Sequence, residues 1–444
     1  MKVSVSYRSI LALAAPISVA LFLPQINFFT NTAFLGRLGE RELGVNGVAG
    51  IFYLLLQMIG YGLANGLQTQ LSRRAGEGDK KALAHTLANG AMMALLLAVV
   101  LIAAACWIGP MVFRAGLHRE DDVVLSIDYL LARVWGLPAL VLGQVLQGFF
   151  VATGKSRALS ASSAVTVAAN VVLDYAFIFG HWGAPGLGLQ GAALASAMAE
   201  WAGCLTLIAL FLFTSQHRKY PLTRQAFRPD LALSKTTLRI AAPLMLQYGF
   251  SIGGWVVFFL FIEHLGSPAL AASQILRSVF GLVSISTWAF ASTTSSMVSN
   301  LIGQGKSSLV PLLVGRIIKV SLGLTGILCV ALLIAGPHFL ALYRNDPQLI
   351  AYALPSLYVV SLATLVMSVS TVTFNGVVGT GNTLANMTIE VTSVAIYLVY
   401  CAIVIEKMHA PLHWAWASEF VYWLSLLVIS AWYLRSGRWR GKLV

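Results

Sequence analysis

The sequence predicts an all-α polytopic membrane protein of twelve transmembrane helices, built as two parallel six-helix repeats. Three observations predict it. Hydrophobic residues make up 58% of the 444 residues and charged residues only 10%, where soluble domains carry about 25% charged residues. The apolar residues fall in runs of roughly 20–30, long enough to cross a bilayer. The chain also repeats itself at a fixed shift of 227 residues.

The mean hydropathy is +0.80. A water-soluble fold of this length could not hide so much apolar surface, whereas lipid solvates it. A membrane β-barrel would show short alternating segments instead. The predicted helices of the first half cover 9–35, 43–72, 82–110, 122–151, 157–180 and 188–215. Those of the second cover 237–265, 270–300, 310–336, 347–377, 383–405 and 412–434. Several exceed the ~20 residues a bilayer requires, so tilt or protrusion is expected. The first run follows Lys2 and Arg8 and is longer than the ~7–15 apolar residues of a cleaved leader, so it reads as helix 1. The four cysteines (Cys106, Cys204, Cys329, Cys401) lie inside apolar runs without metal-ligand spacing and read as small core residues. No metal and no cofactor is expected.

The net charge of +13 would suit a nucleic-acid partner, but the charges occupy short loops between apolar runs, which excludes one. Cytoplasmic loops concentrate Lys and Arg. Of the 29 such residues, only Arg37, Arg41, Arg114, Arg119, Arg344 and Lys407 fall in loops on one side. Arg133 and Arg277 fall within spans, and all the others lie on the opposite side. That asymmetry predicts twelve crossings with both termini in the cytoplasm. Residues 1–215 form the first lobe, 216–236 a basic cytoplasmic linker, and 237–444 the second lobe with a short basic tail.

The repeat is specific. At the 227-residue shift, Ala14-Ala15-Pro16 meets Ala241-Ala242-Pro243, and Leu38-Gly39 meets Leu265-Gly266. Gly76 and Gly78 meet Gly303 and Gly305, Gly109-Pro110 meets Gly336-Pro337, and Thr153-Gly154 meets Thr380-Gly381. Matches gather at Gly and Pro because these residues set the turns a duplicated fold must keep. An even number of helices per repeat makes the repeats parallel, about an axis along the membrane normal, with a substrate cavity expected between the lobes.

Several segments carry a family resemblance. Thr32-Ala33-Phe34-Leu35-Gly36-Arg37-Leu38-Gly39, Arg73-Arg74-Ala75-Gly76-Glu77-Gly78 and Asn170-Val171-Val172-Leu173-Asp174 followed by Phe177-Ile178-Phe179-Gly180 resemble the multidrug and toxic compound extrusion (MATE) family. So do Gly191-Ala192-Ala193-Leu194-Ala195-Ser196 and, in the second half, Leu265-Gly266 and Val298 to Gly305. The resemblance covers nearly the whole chain, and Asp174 in helix 5 places it nearest the DinF-like branch. It implies twelve helices in two lobes around a V-shaped cavity. It also implies export of drugs and metabolites driven by inward proton or sodium flow.

Asp174 is the first candidate for cation coupling. It lies about seven residues from the outer end of helix 5, roughly 10 Å deep. A carboxylate at that depth must face a cavity, be paired, or be protonated. Asn170 sits one turn away on the same face, and Ser196 on helix 6 is a hydroxyl neighbour. Asn31 is a departure, because the family commonly carries aspartate at that place. Asparagine supplies no charge, so coupling through one carboxylate favours a proton over sodium. Candidates for the substrate cavity are Gln25, Gln144, Gln147 and Tyr175 in the first half, and Glu263, Arg277 and Asn375 in the second. Arg277 is costly in lipid and is expected to face the cavity or a carboxylate. Pro16 is the expected hinge of helix 1, and Pro138 and Pro243 are expected kinks. Asp174 maps by the repeat onto Cys401 and Asn31 onto Phe258, so the coupling site is expected in the first lobe alone. Glu200, Glu390, Glu419 and Arg133 also fall inside spans, with structural pairing the default.

The reading is a cation-coupled, most simply proton-coupled, antiporter exporting small organic compounds, often cationic or aromatic, by alternating access. It is expected to be a monomer in the lipid of the bacterial inner membrane. The alternative is a flippase for lipid-linked precursors, a group with a strongly basic cavity. A membrane enzyme would need a constellation at membrane depth, and the eight histidines sit at helix ends or in loops. No P-loop appears, so ATP is not the direct driver.

Overall fold

A computed structural model describes residues 4–117, 119–214, 216–343 and 346–440. Lys2, His118, Arg344 and Lys442 of the charge and histidine readings lie outside the described residues. Among the described residues the chain forms twelve helical spans long and apolar enough to cross a membrane. They are α1 (Tyr7–Leu38), α2 (Arg41–Glu77), α3 (Lys80–Gly116), α4 (Glu120–Ala152), α5 (Arg157–Phe179) and α6 (Gly188–Phe213). The second six are α7 (Leu231–Glu263), α8 (Ser267–Gly303), α9 (Ser307–Ala341), α10 (Pro347–Gly379), α11 (Thr383–Lys407) and α12 (Leu412–Arg435). Each predicted run falls on one span, and the chain is a multi-pass membrane protein.

The spans outlast their apolar runs where polar residues cap them. Asp79 accepts the Ala82 N–H at 2.9 Å before α3, and Asp346 accepts those of Gln348 and Leu349 before α10. The repeat recurs in backbone geometry. Gly78 and Gly305 have φ of 83° and 74°, and Gly154 and Gly381 have 71° and 86°. These left-handed turns are open to glycine and strained for other residues, which is why the matches survive there.

Two compact units result. Val19–Met245 form one, and the chain before Val19 and after Met245 forms the other. The cuts after Ser18 and Met245 are themselves related by the 227-residue shift. Each falls inside a helix, two residues past Pro16 in α1 and Pro243 in α7, where a missing N–H weakens the helix. The sequence reading placed the division in the 216–236 linker, whereas the compact units place the first half of α7 in the first unit. Thr237 donates to Gln70 at 2.9 Å, and Asn89 donates to Ser234 at 3.0 Å. A Cβ on Gly62 or Gly66 would lie 2.7 Å from Met245 or 3.0 Å from Ala241, so these glycines permit the close approach. In the second unit, Arg316 holds the start of the chain, donating to the Val5 carbonyl at 2.6 Å and lying over the Tyr7 ring.

Inside the first unit α4 is interrupted. Its helix stops at Arg133, a 3₁₀ turn covers Val134–Gly136, and helix resumes at Leu137. Pro138 stands in the first turn of the resumed helix, where it has no intrahelical N–H bond to lose. The second unit has an apolar core around Phe258, Leu276, Leu357 and Trp416, and the Trp416 indole donates to Ser273 at 3.0 Å.

Candidate functional site

α5 and α6 pack along their length, joined by a short loop in which the Leu187 N–H bonds the Phe177 carbonyl at 2.8 Å. A Cβ on Gly191 would fall 2.3 Å from the Phe177 carbonyl oxygen, so glycine sets this approach. The resulting register puts Ser196 opposite Asn170. The Asn170 amide donates to the Ser196 hydroxyl at 3.3 Å. Asp174 follows one turn later, five residues before α5 ends at Phe179, slightly nearer the end of the helix than the sequence reading placed it.

Asp174 and Asn170 have no solvent exposure. Neither carboxylate oxygen of Asp174 has a hydrogen-bond partner, and the Asn170 carbonyl oxygen has none either. Oxygens buried in this way carry a cost of a few kcal/mol unless their state or surroundings change. Three of the four predicted coupling residues thus share one place. Asn31 is half-buried, and its side-chain oxygen is also without a partner, as is that of Asn27. Helix α1 meets α5 three residues past Asn31, where the Phe34 and Phe179 rings stand edge-on at 5.7 Å. No hydrogen bond joins Asn31 to Asp174.

One turn along α6 from Ser196 is a group the sequence left unranked. Arg133 donates to Glu200 at 2.6 Å and to the Tyr53 hydroxyl at 3.3 Å, with its guanidinium 4.1 Å from the Tyr53 ring centroid. Tyr53 donates in turn to the other Glu200 oxygen at 3.0 Å. The pair is 13% and 12% exposed. Asp128, five residues before Arg133 on α4, does not join it and accepts from Gln190 at 3.1 Å. Glycine at 136 leaves the space, since a Cβ there would lie 2.0 Å from a Glu200 oxygen.

The cavity candidates are dispersed. Gln25 and Gln147 are half-buried. The Gln144 side-chain oxygen is buried without a partner and faces Gly60. Tyr175 is exposed and stacks on His181 at 4.2 Å, beside Trp182. In the second unit Glu263 is an exposed residue at the end of α7. Its neighbour His264 instead meets Glu406, with a ring nitrogen 2.5 Å from the carboxyl oxygen. Arg277 is exposed over the Phe259 ring at 5.6 Å. Among the described residues no carboxylate pairs with it, because the aromatic face takes that role. Asn375 donates to its own helix at the Thr371 carbonyl. Cys401 and Phe258, the repeat counterparts of Asp174 and Asn31, are buried in apolar core.

The second unit has a polar centre of its own. Glu390 on α11 accepts from the Ser251 hydroxyl of α7 and from Tyr422 of α12 at 2.7 Å. One turn before both, Asn386 donates to Gln247 at 2.6 Å. Glu419 accepts from the Trp423 indole at 2.9 Å. Among the described residues no group of three or more His, Cys, Asp or Glu could hold a metal ion.

Comparison with known proteins agrees with this architecture. The MatE family model matches residues 16–176 and 243–403, two regions offset by the same 227 residues. A relative from Shewanella oneidensis, named "Probable multidrug resistance protein NorM", is 25% identical over 352 residues, 78% of this chain and 75% of its own length. Relatives of that name from Synechocystis and Idiomarina loihiensis are 25% and 24% identical, and the match spans only 58% and 60% of their lengths. Among solved structures, a MATE protein crystallised with MaL6 superimposes with a TM-score of 0.90 at 17% identity, over 96% of this chain and 95% of that one. An outward-facing multidrug resistance MATE transporter does so with 0.90 at 16% identity, over 98% and 96%. With its two matched regions covering most of its length, the chain belongs to the MatE family of membrane transporters.

Proposed function

We propose that this protein exports small organic compounds, often cationic or aromatic, from the bacterial cytoplasm in exchange for protons, and that Asp174 carries the proton. The observation that carries the reading is the burial of Asp174 with both oxygens unpartnered. An acid in that setting is balanced between a protonated state and an ionised one that needs new surroundings. Family membership supports transport, and the NorM-named relatives support multidrug export.

In this reading a proton enters from outside onto Asp174. Asn170, fixed by Ser196, offers its free carbonyl oxygen to the protonated acid one turn away. Alternating access then exposes the site to the cytoplasm, the proton leaves, and the ionised state favours rebinding of substrate. Pro16 and Pro243 are the hinges, because both compact-unit cuts lie two residues beyond them. The placement of Asp174 favours the DinF-like branch. The protein works as a monomer in the inner membrane, with both termini cytoplasmic.

The test is dye transport into inverted vesicles with the proton and sodium gradients collapsed separately. Collapse of the proton gradient abolishes transport, and Asp174→Asn abolishes gradient-driven transport. Full-rate transport by that variant would overturn the reading.

A further inference from the structure

The segment between α6 and α7 is basic and is laid down on the first unit. Residues 216–239 carry Arg218, Lys219, Arg224, Arg228, Lys235 and Arg239 against a single acid, Asp230. Asp230 is already engaged by the Leu233 N–H and faces His85. Among the described residues no carboxylate pairs with any of the six bases. Elsewhere the loop arginines do find partners, as Arg74 does in Glu77 and Arg41 in Asp122.

The packing decides where these bases point. Gln216, Tyr220 and Ala226 are buried. The Tyr220 ring meets Phe149 edge-on at 5.6 Å, and the Ala226 carbonyl meets His85 at 3.0 Å. The Tyr220 N–H bonds the Gln216 carbonyl and the Ala226 N–H that of Thr223, each at 2.8 Å. Pro221 and Pro229 stiffen the chain between these anchors. On α7, Ser234 and Thr237 turn inward to Asn89 and Gln70. All six bases are exposed between and beyond the anchors, with Lys219 lying over the Tyr220 ring at 5.3 Å. Large apolar side chains stand among them. Phe213 at the end of α6 is 89% exposed, Leu231 at the start of α7 85%, and Phe227 in the linker 44%.

We propose that the docked linker is a binding surface for the phosphate headgroups of anionic phospholipid in the leaflet it borders. Arg218, Arg224 and Arg228 meet the phosphates, and Phe213, Phe227 and Leu231 reach the boundary between headgroups and acyl chains. Guanidinium groups match phosphate oxygens with two parallel donors, and basic clusters beside a span gather anionic lipid. Loop charge that only orients a chain during insertion needs no fixed structure in the loop, whereas this linker is pinned at buried points with its bases left unpaired. Pinning also lowers the ordering cost of binding. The apolar residues choose the partner. A nucleic acid or a free phosphate would use the charges and leave Phe213, Phe227 and Leu231 in water, but a bilayer surface takes both. The contact fixes the level of the α6–α7 junction in the bilayer.

The test uses purified full-length protein in a neutral detergent, titrated with dioctanoyl phosphatidylglycerol or dioctanoyl phosphatidylcholine. Native mass spectrometry counts the bound lipids. Wild type binds the anionic lipid about tenfold more tightly than the zwitterionic one. Arg218→Gln/Arg224→Gln/Arg228→Gln removes that preference with the thermal midpoint unchanged. Lys155→Gln/Arg157→Gln/Lys306→Gln, the same charge loss at exposed bases outside the linker, keeps it. Phe227→Ser, with every charge in place, weakens phosphatidylglycerol binding severalfold. Equal binding of the two lipids by wild type overturns the proposal, and so does equal loss of preference in the two triple variants. Displacement of the lipid by an equal concentration of inorganic phosphate would make this a free-anion site and overturn it too. A short DNA duplex that binds more tightly than the lipid, and only with Arg218, Arg224 and Arg228 present, would make the partner a nucleic acid instead.

Discussion

Asp174 in the first unit and Glu390 in the second are both carboxyl groups withdrawn from solvent, at 0% and 2% exposure, inside two copies of one six-helix scaffold. Their surroundings differ. Glu390 accepts hydrogen bonds from Ser251 and Tyr422, drawn from two other helices. Asp174 accepts none. A buried acceptor with its donors in place stabilises one conformation. A buried acceptor without them is a standing cost, and such a residue makes sense where the protein works by changing that residue's state. The scaffold repeats because its turn glycines must recur. The chemistry diverges because position 401, the copy of 174, is a cysteine inside apolar core.

The largest effect that could break this comparison is functional. Asp174→Asn is expected to lower gradient-driven export by at least about a hundredfold. It should leave the thermal midpoint of the purified protein unchanged or higher, because no hydrogen bond is lost. Glu390→Gln should do the reverse, lowering the midpoint while leaving measurable coupled export. Vesicle transport and thermal unfolding on the same preparations check both. If Asp174→Asn unfolds the protein and Glu390→Gln uncouples it, the assignment of roles is inverted.

The next effect concerns Arg133. Glu200→Gln leaves a buried guanidinium without its carboxylate, with an amide in its place beside the Tyr53 hydroxyl. Losing one partner of a buried ion pair costs about 3–5 kcal/mol, and the unfolding midpoint should fall accordingly. The double change Arg133→Met/Glu200→Met should restore most of that loss. Gly136→Ala should resemble Glu200→Gln, because its methyl would occupy the place of a Glu200 oxygen.

These two centres were unequally legible in the sequence. The twelve helices followed from apolar runs, the repeat from Gly and Pro at one shift, and the Asn170–Asp174 face from helical spacing. The Arg133–Glu200 pair was not legible, since 67 residues and two helix boundaries separate its members. Asp128 lies only five residues from Arg133, but that spacing turns the two side chains to different faces. Ser251 and Tyr422 were unreadable as partners of Glu390 for a similar reason. Helices that are apolar all round carry no amphipathic stripe to say which side faces a neighbour. Arg277 misled because the cost of a charge in lipid predicts that it finds a partner, without saying that an aromatic ring will serve.

A smaller effect sharpens the comparison within the second unit's own centre. Glu390→Ala leaves the Tyr422 hydroxyl without its acceptor, while Ser251 keeps the Gln247 carbonyl at 3.0 Å, a loss of about 1–3 kcal/mol in a buried site. Tyr422→Phe removes one donor and should cost less, about 1 kcal/mol. Additive losses in the double variant would mean the two residues act separately. A shortfall would show the coupling expected of groups in one network.

The smallest effect lies at the edge of the first unit, where α7 begins. Asp230 accepts the Leu233 N–H at 2.9 Å and faces His85 at 3.3 Å, while the other His85 nitrogen faces the Ala226 carbonyl at 3.0 Å. His85 thus bridges the Ala226 carbonyl and the Asp230 carboxyl. The Leu233 N–H, followed by His85, holds the Asp230 carboxyl below its ordinary value. A lowered folded-state value means the anchor contributes fully above the unfolded pKa and is lost as pH falls through the folded one. The linker should therefore stay docked down to pH values below about 3.9, the ordinary aspartate value. A spin label at Thr223 reports this as a mobility change on acidification. Asp230→Asn should show that mobility already at neutral pH, with export nearly unchanged. A label equally immobile in that variant would mean that the tighter contacts at Gly62 and Gly66 hold the start of α7 without the Asp230 anchor.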